Sequence, residues 1–245
     1  MAGDIASAQF VNRLEEQQRL AAAFAEADAG RASLVLVGGD AGVGKTRLLA
    51  EFARGLDAAV LRGGCLPLGE KGLPFAPIVE VLRGLVDREA NAVHLPAVLE
   101  PLMPEMSLDS SPRASTQSQM FQAFLRLLEE LASARAVVLI LEDLHWADHS
   151  TRQLLDLVAH NLRDQRLLAV ATYRTDDLHR EHPLRLLLAE WRRNARVDLL
   201  KLDAFAPRDV AEHLTAVTGS RPSPEVVEAV VHRTEGNAFF IEELV

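Results

Sequence analysis

Cysteine is nearly absent from this chain of 245 residues, in which Cys65 is the single one. One cysteine cannot close an intramolecular disulfide, so a disulfide-stapled secreted scaffold is excluded and a cytoplasmic location is expected. Long apolar runs are also missing, because the longest aliphatic stretch, 136–141, is far too short to cross a bilayer. The first residues carry neither a basic flank nor an apolar stretch, which speaks against a signal peptide. We therefore expect no membrane partner.

Positive charge is also scarce, with 26 basic against 35 acidic residues and a net charge of −9. A surface that neutralises the phosphates of a nucleic acid is expected to be basic, so we expect no direct nucleic-acid binding by this segment. Lysine is especially rare, since three lysines stand beside 23 arginines. A lysine at a position where chemistry demands one is therefore informative.

Hydrophobic residues make up 49% of the chain, which is enough for a substantial core. Five apolar segments read as strands: 33–39, 58–63, 136–143, 167–174 and 197–202. Their apolarity is mostly continuous, which is typical of parallel strands covered on both faces. Amphipathic patterns predict helices at 46–56, 75–88, 119–134, 150–162, 183–194, 207–218, 223–234 and 239–245. This alternation predicts an α/β fold with a doubly wound, mainly parallel five-stranded sheet flanked by helices.

Helix-capping residues and prolines refine this organisation. Thr116 with Gln119 and Ser150 with Gln153 have capping-box spacing, and Ser223 is placed to cap a helix that begins at Pro224. We expect residues 1–205 to form the core, with a proline-rich helical crossover at 66–117. Residues 206–245 then begin a small helical lid, and we expect further domains to follow it.

The strongest motif is a glycine-rich loop that lies between the first strand and the first predicted helix. It matches G-x-x-x-x-G-K-[ST] with Gly39, Asp40, Ala41, Gly42, Val43, Gly44, Lys45 and Thr46. Backbone amides of such a loop converge on phosphate groups, and the following helix adds the partial positive charge of its N-terminus. Lys45 is predicted to contact the β- and γ-phosphates, and the Thr46 hydroxyl to bind Mg²⁺.

Polar side chains follow two other predicted strands. Glu142 and Asp143 end the third strand, and ligands of a doubly wound sheet lie at the carboxyl ends of its strands. We expect Glu142 to face the magnesium ion and Asp143 to orient or deprotonate the attacking water. Arg174 ends the next strand and is placed to bind the γ-phosphate.

Two histidines, His145 and His149, follow the acidic pair at a spacing of four residues. That spacing also occurs in zinc sites. The glutamate of H-E-x-x-H is missing, however, and the segment precedes a helix cap. We therefore favour a loop in which Trp146 packs below the edge of the sheet.

Together these motifs resemble the ATPase domain of the STAND class of AAA+ proteins, as in the N-terminal part of LuxR-type (MalT-like) transcriptional regulators. The resemblance rests on F-V-N-R at 10–13, the loop at 39–46, L-P-F-A-P at 73–77, L-E-D-L-H-W-A-D at 141–148, A-T-Y-R at 171–174 and E-G-N-A-F-F at 235–240. It departs from the family pattern at Asn12, where glycine is usual, and at Ala238, where proline is usual.

The resemblance implies an ATP- and ADP-binding switch that uses Mg²⁺ and hydrolyses ATP slowly. It places the segment around Arg13 near the adenine, makes Arg174 the sensor of the γ-phosphate and puts the last helices in a lid. It also implies C-terminal output domains beyond this segment and leaves a nucleotide-dependent homo-oligomer open.

Two other functions remain open from the residues alone. One is a metabolic P-loop kinase that acts on a small molecule, and the other is an interaction module that holds nucleotide without turnover. A GTPase is disfavoured because no N-K-x-D motif occurs, and an ABC-type ATPase because no L-S-G-G-Q occurs.

Overall fold

The computed structural model describes residues 12–67, 74–89, 95–99, 102 and 116–244. Within them, one parallel sheet is formed by β1 (Ser33–Gly39), β2 (Ala59–Gly64), β3 (Val137–Glu142), β4 (Leu167–Arg174) and β5 (Val197–Lys201). The strand order is β2-β3-β4-β1-β5. All strand pairs are parallel, which confirms the predicted five-stranded doubly wound sheet.

Helices cover both faces of this sheet. They are α1 (Leu14–Asp28), α2 (Lys45–Ala53), α3 (Ala76–Glu89), α4 (Gln117–Ala134), α5 (His149–His160) and α6 (Leu184–Trp191). Alternate strand residues point to opposite sides, so the sheet has two apolar cores. Val35 and Val37 pack with Leu20 of α1 and Leu48 of α2, whereas the core on the other face collects side chains from α3 to α6.

Helix α1 has no counterpart among the predicted helices. Its segment, LEEQQRLAAAFAEAD, is rich in alanine and charge, and of its residues only Leu20 and Ala27 are buried. A narrow buried stripe gives a weak amphipathic pattern, although alanine favours helix intrinsically. The helix is preceded by Asn12 and Arg13, whose φ angles of 64° and 69° are left-handed. Asparagine tolerates this conformation better than most residues do.

The predicted caps were right at two helices and wrong at a third. Thr116 and Gln119 form a reciprocal capping box at α4, and the Ser223 hydroxyl accepts the Val226 N–H of the helix Pro224–Thr234. Ser150 does not cap α5. Asp148 does so instead, because its carboxylate accepts the N–H groups of Ser150 and Thr151 at 2.8 and 3.1 Å.

Asp148 also joins two distant segments. Its second carboxylate oxygen accepts the Phe75 N–H at 3.2 Å, just before α3 begins. Phe75 has a φ of 63°, so its backbone turns sharply at this point. The P-F-A-P and W-A-D stretches are therefore in direct contact.

The C-terminal helices have an apolar cluster of their own. They are α7 (Pro207–Thr218), α8 (Pro224–Thr234) and α9 (Ala238–Leu244). The cluster contains Phe205, Val210, Leu214, Val230 and Ile241. These helices thus share an apolar cluster that is distinct from the two clusters of the sheet, and the domain boundary at 205 stays a prediction.

Parts of the predicted organisation lie outside the described residues. These parts are Phe10, Val11, Leu73 and, within the crossover 66–117, residues 68–73, 90–94, 100–101 and 103–115. No helix in the described part of the chain is long and apolar enough to span a membrane.

Replacing the cap of α5 tests this local structure. We expect Asp148→Ala to lower the free energy of unfolding by about 2 kcal/mol, because an N-cap acceptor is lost together with the Phe75 contact. Ser150→Ala is the matched control and should change stability by less than about 0.5 kcal/mol. Urea unfolding measures both variants, and an equal loss in both would contradict Asp148 as the cap.

Candidate functional site

The glycine-rich loop lies between β1 and α2 at the carboxyl edge of the sheet. Gly42 and Gly44 have φ angles of 78° and 96°, a conformation that side chains rarely adopt. Gly39 is required for a different reason, because a Cβ there would lie 2.5 Å from the carbonyl oxygen of Leu202. The backbone of the loop therefore requires glycine at these three positions.

Lys45 is buried at the centre of this loop, with 7% of its surface exposed. Its ammonium group donates to the carbonyl oxygens of Gly39 and Asp40 at 2.7 and 2.8 Å. Burial lowers the pKa of Lys45, while the charge of Asp143 acts in the opposite direction. A buried ammonium group that contacts neutral carbonyls is suited to an anionic ligand.

Thr46 and Glu142 meet across the edge of the sheet. The Thr46 hydroxyl donates to the Glu142 carboxylate at 2.6 Å, although the two residues are 96 positions apart in sequence. Hydroxyl and carboxylate oxygens are the ligands that Mg²⁺ prefers. The pair therefore offers the kind of donor atoms that would hold a magnesium ion.

Asp143 and Arg174 lie beside this pair. The Arg174 Nε is 3.9 Å from Asp143 Oδ1, and its Nη1 is 3.7 Å from Asp177 Oδ2. The guanidinium lies 4.8 Å above the centre of the Trp146 ring, a cation–π distance. In the sheet register, Arg174 is paired with Gly39. The structure thus brings Lys45, Thr46, Glu142, Asp143 and Arg174 to one edge.

Arg13 lies on the other side of the loop. Its guanidinium donates to the carbonyl oxygens of Val43 and Asp203 at 3.2 and 2.6 Å and lies 4.7 Å above the Phe205 ring. It borders a small cleft, with a cavity volume of about 30 Å³, that is also lined by Gly44, Arg47, Phe205, His213 and Glu242. The location of Arg13 on the adenine side stays a prediction.

No motif in the sequence marks Phe205 or His213 as a residue of this cleft. His213 is 4% exposed, and its Nε2 lies 3.8 Å from Glu242 Oε1. Phe205 directly precedes the helical unit of α7 to α9 and His213 lies in α7, both more than 150 positions after the loop, and no motif spacing connects them to it.

The helical unit contacts the outer side of the loop directly. The Asn237 side-chain amide donates to the Ala41 carbonyl at 2.7 Å, and the Phe239 N–H donates to the Gly42 carbonyl at 3.0 Å. Gly236 has no room for a side chain, since a Cβ there would lie 2.2 Å from the Phe205 carbonyl. Residues 237–239 are therefore where the helical unit meets the loop.

The zinc alternative finds no support in the described residues, which contain no group of three or more His, Cys, Asp or Glu side chains placed for a metal ion. His145 is buried, with 5% exposed, whereas His149 is exposed at the start of α5. Trp146 packs against the core below the sheet edge, as predicted, and its other face carries Arg174.

Comparison with known proteins gives one family and several structural neighbours. The family model of an AAA ATPase domain matches residues 9–171. An uncharacterized protein of Rhizobium meliloti strain 1021 is 27% identical over 266 residues, which cover 96% of this chain and 24% of the relative.

Two solved structures have a similar fold. A Signal Transduction ATPase with Numerous Domains (STAND) protein with a tetratricopeptide repeat sensor, from Pyrococcus horikoshii, gives a TM-score of 0.55 at 15% identity, covering 94% of this chain and 28% of that one. The ORC2 protein of Aeropyrum pernix, solved as ADPNP–ADP complexes, gives 0.59 at 12% identity, covering 94% and 60%. The chain thus spans about a quarter of the length of the Rhizobium relative and of the STAND protein.

The buried histidine of the cleft predicts a pH dependence of stability. Burial lowers the pKa of His213, Arg47 acts in the same direction, and Glu242 opposes them. The unfolded chain therefore takes up a proton near pH 6.5 that the folded chain binds only at lower pH, so stability falls as the pH drops below about 6.5. We expect His213→Gln to make urea unfolding less dependent on pH between about 5 and 7, and the same substitution at exposed His160 to leave it unchanged. An unaltered slope in the His213 variant would contradict this assignment.

Proposed function

The chain belongs to the AAA ATPase domain family, and we propose that it is an ATP-binding switch domain with slow hydrolysis. We further propose that it is the N-terminal regulatory ATPase of a larger regulator of the LuxR type. The observation that supports the ATPase most directly is that Glu142, Asp143 and Arg174, at the ends of two strands, converge on the loop that holds Lys45. The sequence motifs and the similarity to a STAND protein support the proposal that this domain is part of a larger regulator.

In this proposal each residue has a distinct task. Loop residues Gly39 to Thr46 hold the phosphates through their amides, and Lys45 exchanges its carbonyl partners for the β- and γ-phosphates. Thr46 and Glu142 hold Mg²⁺, which when bound neutralises part of the phosphate charge. Asp143 accepts the hydrogen bond of the attacking water, and Arg174 binds the γ-phosphate bidentately.

Arg174 must change partners to do this. Asp143 and Asp177 flank its guanidinium at 3.9 and 3.7 Å. A γ-phosphate is a stronger bidentate partner than either carboxylate at those distances, so ATP and ADP bind Arg174 differently. A ligand shifts a conformational equilibrium only through such a difference in contacts. The side chain is therefore suited to sense which nucleotide is bound.

The lid contacts suggest how the state of the loop is transmitted. Asn237 and Phe239 hold the carbonyls of Ala41 and Gly42, and Arg47 of α2 forms an ion pair with Glu242 of α9 at 2.7 Å. A loop that rearranges around phosphate therefore moves atoms that the lid contacts. The proposed partners are ATP, C-terminal output domains and, in one nucleotide state, further copies of the chain, without direct contact to nucleic acid or membrane.

Removal of the loop lysine tests nucleotide binding. We expect Lys45→Ala to lower the affinity for ATP by about 100-fold or more, because a charge-assisted contact to two phosphates is lost. Lys201→Ala, at an exposed lysine of β5, is the control and should bind ATP normally. Calorimetric titration with Mg-ATP measures both, and equal affinities would overturn the site.

Substitution of the second acid separates binding from hydrolysis. We expect Asp143→Asn to bind ATP as the wild type does and to hydrolyse it about 100-fold more slowly, because the amide is a poor proton acceptor. Phosphate release measures the rate, with Asp164→Asn at an exposed position as the control. Unchanged turnover would exclude Asp143 as the base. ATP consumption that needs a small-molecule acceptor would instead favour the kinase, and stable ATP binding without phosphate release would favour the holding module.

A further inference from the structure

We propose that His145 is a positioning residue that holds Asp143 and Arg174 at a fixed separation. This inference rests on the proposed ATPase function, in which those two residues act on the water and the γ-phosphate. His145 itself lies beneath them and needs no contact with the nucleotide. His145 lies where the backbone hydrogen bonds between β3 and β4 end.

The two strands stop pairing before they reach the site. The last residues paired between β3 and β4 are Leu141 and Ala171, whereas β4 continues beside β1 as far as Arg174. Asp143 and Arg174 therefore lie beyond the β3–β4 ladder. Side chains make the connection there: the Asp143 N–H donates to the Thr172 hydroxyl at 2.9 Å, and the Arg174 N–H donates to His145 Nδ1 at 3.3 Å.

A sharp turn places His145 in this gap. Asp143 has a φ of 58°, which bends the chain at once into the 3₁₀ turn Leu144–Trp146. The turn buries the imidazole below the strand ends, with 5% of the residue exposed. A second hydrogen bond fixes its main chain, since His182 Nε2 lies 3.0 Å from the His145 carbonyl oxygen.

The two imidazole nitrogens differ in their contacts. Because Nδ1 accepts the Arg174 N–H, the proton of the neutral ring resides on Nε2, which makes no hydrogen bond within the described part of the chain although Asp177 Oδ2 lies 3.3 Å away. Asp177 is one of the two carboxylates that flank the Arg174 guanidinium, and the other, Asp143, has its Oδ1 3.9 Å from His145 Nδ1. One ring thus contacts the main chain of the sensor arginine and borders both acids around its side chain.

The ring also supports the platform below Arg174. The centroids of the His145 and Trp146 rings are 4.5 Å apart, and the guanidinium lies on the Trp146 ring. Displacement of a reacting group by about 1 Å can lower a rate by about 100-fold. A residue that ties the two strand ends together therefore affects the rate of hydrolysis more than the affinity for ATP.

Three substitutions of His145 distinguish the role of Nδ1 from that of Nε2. An asparagine side chain can place an oxygen where Nδ1 lies and accept the Arg174 N–H, whereas glutamine reaches the position of Nε2 only. In the full chain we expect His145→Ala and His145→Gln to lower kcat for Mg-ATP by about 10- to 100-fold, with KM and the ATP dissociation constant unchanged. We expect His145→Asn to recover most of kcat. His160→Asn, at an exposed histidine of α5, is the control and should keep the wild-type kcat.

The outcomes distinguish this proposal from the function on which it rests. A wild-type chain that never releases phosphate overturns both. Wild-type turnover with an unchanged kcat in His145→Ala overturns the positioning role alone. If His145→Ala does not fold, the comparison of His145→Asn with His145→Gln tests the proposal. A kcat for His145→Asn that is no higher than the kcat for His145→Gln overturns it. Equal losses of kcat, ATP affinity and melting temperature in those two variants show a structural role and also overturn it.

Discussion

A buried ammonium group is the constraint on which the site depends. Lys45 is almost fully covered, and its charge contacts two carbonyl oxygens of its own loop. Taking a charge out of water is costly, and neutral oxygens offset only part of that cost. An anion in the loop compensates the charge much better. The burial of this one charged side chain therefore favours the binding of a phosphate in the loop.

The parallel arrangement of the strands places other polar residues beside this loop and so completes the candidate nucleotide site. The carboxyl ends of all five strands lie at one edge, so the residues that end β1, β3 and β4 meet there, and Thr46 reaches Glu142 across 96 positions of sequence. The strand β4 lies between the other two, which puts Arg174 opposite Gly39 and close to Asp143. The separation of the β3 and β4 ends then makes room for side chains, and Thr172 and His145 take the place of the backbone ladder.

The lid contacts the loop through the backbone of the loop rather than through its functional side chains. Asn237 and Phe239 donate to the carbonyl oxygens of Ala41 and Gly42. The peptide groups of the loop are thus tied directly to the C-terminal helices. In the proposed switch, a small change in the loop alters the contacts that these helices make.

Much of this molecule follows from local sequence. The strands, the loop at 39–46 and the capping box of Thr116 are set by patterns that span a few residues, and each is where the sequence predicts it. Helix α1 was not predicted, because its narrow buried stripe gives no clear helical period of apolar residues in the sequence. Asp148 replaced Ser150 as a cap because the turn after Asp143 determines where α5 begins. Tertiary structure alone decided which strands are neighbours, that Phe205 and His213 line the cleft beside Arg13, and that His145 points inward, because these contacts join residues whose separation in sequence carries no period.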